Sequence, residues 1–363
     1  MIRCTSLLEL RWPLGERTGN ANAAWSERAA VVVVLQDHAG RTGLGEAAPL
    51  PGFSRDTLDD AVRSLQPLVG HVLHEPSEGA DILVRLAAVQ AGDLSPAARH
   101  ALETALLDLW SRQAGVPAWQ MLGGTPSAES VPVACLLPTE PAAALARARL
   151  AHAAGCTTFK VKLRARELAA DVDLLRTLRR ELGDTVALRA DGNQALNQRL
   201  LEGVTADLRA IRLEWIEEPW PDAVRSPPDG LALALDESLA QDRDPGRMPA
   251  REVCALVLKP SLLGGLVVTR ALMAGASGLG LACAVSHQFE GPVGFQSAAA
   301  LALAAPPGGV AHGLGAHEAL APFGRPPALA PRGFGLRRDQ APGLGVERQI
   351  LRPFVHRVSG AAL

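Results

Sequence analysis

Residues 157–163, Thr-Thr-Phe-Lys-Val-Lys-Leu, decide the fold together with four stretches that follow them: VALRADGN (186–193), LEWIEEP (213–219), LALALDES (231–238) and CALVLKPS (254–261). Each is a short apolar run that ends in a charged or polar cluster, which is how a buried strand reads when turn residues bound it. VPVACLLP (131–138), LACAVSHQ (281–288) and GVAHGLG (309–315) have the same form, so the series has eight members. Their C-terminal landmarks are Lys162, Asp191, Glu217, Asp236, Lys259, Ser286 and His312, spaced by 29, 26, 19, 23, 27 and 26 residues. Stretches such as RELAADVDLLRTLRREL (166–182) carry helical apolar spacing between them. Eight strand-helix units in series close most simply into a (β/α)8-type, TIM-like barrel of the α/β class. The 19-residue interval contains WPDAVRSPPDG (220–230), whose prolines leave room only for an irregular or very short fourth helix.

The barrel pattern is predicted to fill residues 126–325. Before it, residues 1–125 read as an α+β domain. The run AAVVVVLQ and LGEAAPL flank the turn HAGRTG as a hairpin. Two helices follow: SRDTLDDAVRSLQPLVG, capped by Ser54, and SPAARHALETALLDLWSRQAG, closed by Gly115. After residue 325 the Pro- and Gly-rich GRPPALAPRGFG leads to a tail, 326–363, expected to pack back on the first domain.

With 48% hydrophobic and 20% charged residues the composition is that of a globular chain, and a net charge of −2 gives no reason to expect nucleic acid as a partner. A small molecule is the natural ligand. Five cysteines, odd in number and without a C-x-x-C pair, suit a reducing cytoplasm. The N-terminal stretch has charges within its first apolar segment, unlike a signal peptide, and the apolar tracts are too short and interrupted for a membrane span. The expectation is therefore a soluble cytoplasmic protein; its oligomeric state is not written in the sequence.

Of 36 basic residues, 33 are arginine and three are lysine: Lys160, Lys162 and Lys259. Arginine keeps its proton in a protein, whereas a desolvated lysine beside other cations can lose one, so lysines that persist amid so much arginine are suspects for general-base chemistry. Their positions strengthen the suspicion. In a (β/α)8 barrel the C-terminal strand ends form one mouth, where active sites are built. Lys160 and Lys162, at i and i+2, face the same way, and Lys259 stands across the mouth. Asp191, Glu217 and Asp236 come from three successive strands, and three carboxylates side by side require a cation. Oxygen ligands with room for water and substrate suit Mg2+, with Mn2+ as a substitute. Such a site can remove the α-proton of a carboxylate substrate and stabilise the resulting enediolate. Solvated loop charges paired with lysines would account for any one of these residues, but not for six in register.

K-x-K (160–162), D-G-N (191–193), I-E-E-P (216–219), D-E-S (236–238) and L-K-P (258–260) together resemble the barrel motifs of the muconate-lactonising branch of the enolase superfamily. Within it, GLGEAAPLPGFSRDTLDDA (43–61), LKPSLLGG (258–265) and PGLGVE (342–347) are most similar to the o-succinylbenzoate synthase family. The resemblance spans almost the whole chain. It implies a first domain that caps the barrel, is completed by the tail and closes over the mouth through Gly19–Trp25 and Pro51–Ser54. It further implies a Mg2+-dependent syn dehydration, in menaquinone synthesis, of 2-succinyl-6-hydroxy-2,4-cyclohexadiene-1-carboxylate. Lys162 would be the base, Lys160 its tuner and Lys259 a cation against the ring. Asp191, Glu217 and Asp236 would be the metal ligands, with Glu218 only a neighbour. Ser286, Gly313, Arg189 and Phe53 are the implied substrate-binding residues, and Arg189, Asn193 and Glu237 would support the ligands. His287 stands where a serine-rich run is expected, and is read as structural. The same lysines would also permit N-succinylamino acid racemisation, dipeptide epimerisation or muconate-type cycloisomerisation; a catalytically retired binding protein is the rival outside enzymes.

Overall fold

Ala30–Leu35 is buried on both faces, which explains why the run does not alternate. It lies within β2 (Glu27–Asp37), paired antiparallel with β1 (Ile2–Pro13) and β3 (Thr42–Ala47). The computed structural model describes residues 1–15, 19, 24–73, 81–89, 92–125, 130–221, 223, 228–241, 252–306, 309–329 and 334–360. In the first domain these form α1 (Leu58–Leu65), β4 (Val72–Leu73), α2 (Ile82–Ala88), α3 (Pro96–Ala114) and α4 (Ala118–Met121). The expected Ser54 cap is displaced to Thr57. Thr57 Oγ1 accepts from the Asp60 amide while the Asp60 carboxylate accepts from the Thr57 amide, so both ends of the first turn are satisfied three residues later than predicted. α3 follows the prediction, with Ser95 at its N-cap and Gly115 at φ 69° after its last turn.

α3 lies on β3 so closely that side chains are excluded between them. A Cβ on Gly45 would fall 1.7 Å from the Ala101 carbonyl oxygen, and one on Gly43 2.2 Å from that of Ala105. Backbone contact of this kind requires glycine.

The second unit contains β5 (Ser130–Pro132), β6 (Cys135–Leu136), α5 (Pro141–Ala153), β7 (Thr158–Lys162), α6 (Leu168–Leu182), β8 (Ala187–Asp191), α7 (Gln198–Glu202), α8 (Thr205–Ile211), β9 (Trp215–Glu217), β10 (Leu233–Leu235), β11 (Val253–Leu258), α9 (Pro260–Leu263), α10 (Leu266–Gly278), β12 (Ala282–Val285) and α11 (Pro292–Leu303). β6 to β12 form one parallel sheet in sequence order. The eighth predicted strand is a correction: 311–313 forms no ladder, and closes the barrel through single bridges instead. His312 N donates to Pro132 O, Ala134 N to His312 O and Gly313 N to Val285 O, at 2.8–2.9 Å. Gly313 and Gly315 leave this segment little side chain with which to hold a longer strand. As the proline-rich interval suggested, there is no helix among the described residues between Glu217 and Leu233, and a 3-10 turn (Glu237–Ala240) follows β10.

The tail returns to both units. β13 (Gly335–Arg337) pairs with β5, and β14 (Val355–Gly360) runs antiparallel along β1, matching Ser6 to Gly360 and Leu10 to Val355. Two first-domain carboxylates cap barrel helices. Glu46 accepts from the Gly291 and Gly294 amides (2.6 and 2.8 Å) where α11 begins, and Glu103 accepts from Val267 N (3.0 Å) where α10 begins. All five cysteines are free, and no helix among the described residues is long and apolar enough to cross a membrane.

Gly45→Ala should therefore destabilise the protein by about 2–3 kcal/mol by forcing α3 off the sheet. Gly278→Ala, at an exposed helix end where a Cβ meets nothing within 4 Å, should be neutral or slightly stabilising. Thermal unfolding of the two variants checks both.

Candidate active site

Parallel register sets the geometry. Lys162 lies opposite Asp191, and Asp191 opposite Glu217, so one base and two carboxylates share a level at the C-terminal ends of β7, β8 and β9. Asp236 follows β10 by one residue, and Lys259 follows β11. Asp191, Glu217 and Asp236 are each 2% exposed. Lys160, one layer below Lys162, reaches up between the first two: its Nζ lies 2.8 Å from Asp191 Oδ2 and 2.7 Å from Glu217 Oε1. Lys259 pairs with Asp236 Oδ2, and its Nζ sits 4.6 Å above the Phe53 ring. Lys162 makes no ion pair among the described residues; its Nζ donates to Gly19 O at 3.3 Å.

The electrostatics separate the lysines. Burial works against charge on Lys160, but Asp191, Glu217 and Asp236 outweigh it and raise its pKa. For Lys259 the same burial is outweighed by Asp236, Glu237 and Glu217. Lys162 goes the other way: burial, with repulsion from Lys160 and Lys259, lowers its pKa despite Asp191. Among the carboxylates, Asp191 is held below its ordinary value because the three lysines overcome its burial. Burial, only partly offset by Lys160 and reinforced by Asp191 and Asp236, pushes Glu217 up to about 8. Burial, partly offset by Lys259 and reinforced by Glu237, pushes Asp236 up to about 7.

The cluster is thus short of positive charge. Asp236 Oδ1 is buried and accepts no hydrogen bond. Among the described residues no three acidic, histidine or cysteine groups stand together closely enough to hold a metal as they are, since ammonium groups lie against the carboxylates. The donor set nevertheless fits a hard divalent cation: three buried carboxylates, an unused oxygen and elevated proton affinity.

Two tight corners hold the carboxylates. A Cβ on Gly192 would fall 2.6 Å from Pro219 Cα, so the D-G-N corner lies directly on the E-E-P corner. Asn193, Gln194 and Glu218 take φ of 42°, 59° and 34°, uncommon for side-chain-bearing residues. Glu218 proves more than a neighbour of the ligand position. One of its oxygens accepts from Asp236 N and Ser238 N (both 3.2 Å) and from the Ser238 hydroxyl, while the other accepts from Gln194 Nε2 (2.8 Å). Asn193 N donates to Asp191 Oδ1 at 3.0 Å, and its Nδ2 donates to Glu237 at 3.4 Å.

The expected substrate-binding residues divide. Phe53 lies at the mouth, under Lys259. The next residue, Ser54, donates to Gln288 Oε1 (3.1 Å), Gln288 Nε2 donates to Ser261 (2.8 Å), and Ser261 donates to Glu290 (2.6 Å), which ties the cap loop to the segment after Lys259. Ser286 and Gly313 adjoin across the barrel seam, with the Ser286 hydroxyl donating to Gly313 O at 3.2 Å. Arg189 is a correction. Its guanidinium lies flat on Trp215 (3.8 Å), donates to Glu214 (2.6 Å) and Ala311 O (2.7 Å), and is buried deep in the barrel. Its partners are Trp215, Glu214 and Ala311 rather than Asp191, Glu217 or Asp236. Of the expected cap segments, Trp25 donates from Nε1 to Pro51 O (3.1 Å), so the two touch; Asn20 lies outside the described residues.

Residues 142–349 match the family model "Enolase C-terminal domain-like", and residues 8–123 match "Mandelate racemase / muconate lactonizing enzyme, N-terminal domain". The chain belongs to the enolase superfamily and has the two-domain organisation of its mandelate racemase and muconate lactonizing members. It is 28% identical to an o-succinylbenzoate synthase of Vibrio cholerae over 83% of this chain and 86% of the relative. It is 32% identical to an aromatic dipeptide epimerase of Herpetosiphon aurantiacus over 77% and 81%. Among solved structures, an N-succinyl Arg/Lys racemase of Bacillus cereus superposes with a TM-score of 0.81 at 21% identity, covering 99% of both chains. A dipeptide epimerase of Methylococcus capsulatus, complexed with Mg and a dipeptide, gives 0.78 at 26% identity over 95% of this chain and 99% of that one.

Glu218→Ala should leave the Asp236 and Ser238 amides without their buried acceptor, costing about 2–3 kcal/mol. Glu218→Gln, which keeps an acceptor oxygen, should lose less. Denaturant unfolding of the two variants measures the difference.

Proposed function

We propose that the chain catalyses the dehydration of 2-succinyl-6-hydroxy-2,4-cyclohexadiene-1-carboxylate to o-succinylbenzoate. The observation that carries this reading is the inequality of the two lysines across the mouth. Lys259 is an ammonium held by Asp236 and the Phe53 face, whereas Lys162 is half-buried, repelled by Lys160 and Lys259 and, among the described residues, bonded only to a backbone carbonyl. One base and one fixed cation suit a syn elimination; a racemase or epimerase requires two bases.

In this mechanism Lys162 takes the α-proton from the carbon bearing the carboxylate and returns it, from the same face, to the departing hydroxyl, which leaves as water while the ring becomes aromatic. Lys160 keeps a positive charge beneath Lys162 and so favours its neutral form. Lys259 places its ammonium against the charge that develops on the substrate. Asp191, Glu217 and Asp236 would hold Mg2+, or Mn2+ in its place; when bound it supplies Lewis-acid stabilisation of the substrate carboxylate. The similarity to o-succinylbenzoate synthase supports the reading, and the similarity to epimerases defines the alternative to be tested.

Lys162→Arg keeps the charge but removes the base, and should abolish turnover; Lys259→Arg should retain measurable dehydration. Incubating the enzyme with an N-succinylamino acid in deuterated water separates the alternatives. Rapid α-proton exchange of both enantiomers, with no dehydration of the cyclohexadiene acid, would overturn the assignment. Asp236→Asn or thorough chelation should abolish activity with the fold intact; full activity after either would remove the metal from the mechanism. Because Lys162 must be neutral to act and its pKa is lowered, kcat/KM should rise with pH and level off below the ordinary lysine value of 10.5.

A further inference from the structure

Two imidazoles at the barrel rim take no part in the chemistry above. His287 follows β12, and its ring is near enough to Lys259, Lys160 and Lys162 to be repelled by all three when charged. His317 follows the eighth strand position and stacks on it, with ring centroids 4.0 Å apart and planes at 27°. Phe289 stands edge-on to both rings at 5.5 and 5.6 Å, and Trp25 from the first domain lies 6.1 Å from Phe289. Two imidazolium ions cannot share such a stack. Burial, followed by these charges, lowers His287 to about 3, and burial with His287 and Arg28 lowers His317 well below its ordinary value. Both rings are neutral.

A hydrogen bond fixes the tautomer of His287. The Phe289 amide donates to its Nδ1 at 3.1 Å, and since an amide can only donate, the hydrogen of the neutral ring resides on Nε2. That Nε2–H has no protein partner among the described residues, and it is not sealed in, unlike both nitrogens of His317, which are buried without hydrogen bonds. The segment is held in place. Phe289 adopts φ 60°, and the buried Arg28 donates to Phe289 O (2.9 Å) and to the Pro49 and Ala48 carbonyls. Strained backbone, unsatisfied buried nitrogens and an unengaged donor in one place call for a functional explanation.

We propose that His287 is a specificity-determining residue whose Nε2–H donates to an oxygen, acyl carbonyl or carboxylate, on the part of the substrate distal to the reacting carboxylate, and that His317 is the positioning residue that holds its ring plane. An Nε2–H can only donate, so the subsite takes groups that present an oxygen acceptor, an acyl carbonyl or a carboxylate. This deepens the functional reading and rests on it for the binding of a carboxylate at the lysines.

Titration calorimetry with Mg2+ present tests the subsite by pairs of probes: o-succinylbenzoate against benzoate, and N-succinylphenylalanine against phenylalanine. His287→Phe keeps a stacking ring but loses the donor, and should weaken the succinylated probes about tenfold while leaving their parents unchanged. His287→Gln should recover much of the loss, and His317→Phe should weaken binding less than His287→Phe. In turnover the loss should fall on KM rather than kcat. Equal weakening of succinylated and parent probes, no weakening, or a wild-type protein that prefers neither succinylated probe to its parent would overturn the proposal. A wild-type protein that binds N-succinylphenylalanine but neither binds o-succinylbenzoate nor performs the dehydration would refute the dehydratase reading alone; the second pair then decides the subsite.

Discussion

Everything at the mouth depends on the pairing of β7, β8 and β9 in one register. Lys162, Asp191 and Glu217 are neighbours because their strands are aligned residue for residue, and side chains alternate with a period of two. A slip of one residue in β8 would turn Asp191 out of the barrel and bring Ala190 in. The packing of Gly192 on Pro219 and the bonds from Glu218 to the segment after β10 lock that alignment where the strands end. The strained corners and the geometry of the candidate site are one arrangement: the chain accepts left-handed backbone at Asn193, Gln194 and Glu218 where it brings three buried carboxylates together.

The first domain is also structural to the barrel. Glu46 and Glu103 supply the N-terminal caps of α11 and α10, and Arg28 fixes the loop that carries Phe289 and His287. Phe53 closes on Lys259 from a loop tied to the barrel by Ser54 and Gln288. The same contacts dock the domains and place Phe53 and His287 at the mouth of the barrel, so substitutions at the interface will be felt in both.

Much of this was legible in the sequence because it lies in local pattern. Strand ends rich in charge announced the barrel, and three lysines amid 33 arginines announced the site. What failed was height. Alternation gives the face of a strand but not which way a long side chain will turn, and residues two apart differ by about 6.6 Å in depth. Lys160 and Arg189 pair across β7 and β8 at the same depth, yet Lys160 reaches up to the carboxylates while Arg189 turns down onto Trp215 and Glu214. Long-range partners were equally hidden. Nothing about Glu46 in a strand, Glu103 in a helix or His317 in a loop indicates the amide or ring that each meets far along the chain.

The antiparallel ladder between β1 and β14 has a consequence for synthesis. β1 emerges from the ribosome about 350 positions before the strand that covers its edge, since Ser6 is matched to Gly360. At about 5–20 residues per second that interval lasts roughly 20–70 s. Throughout it the nascent first domain has an open β-edge while the whole barrel is being made. β4 covers the start of that edge at Ile2 and Arg3, and the rest of β1 meets the delay with Glu9 and Arg11, charges of the kind that discourage pairing with another chain. The seating of this short strand on a waiting edge joins stretches about 350 residues apart in one sheet.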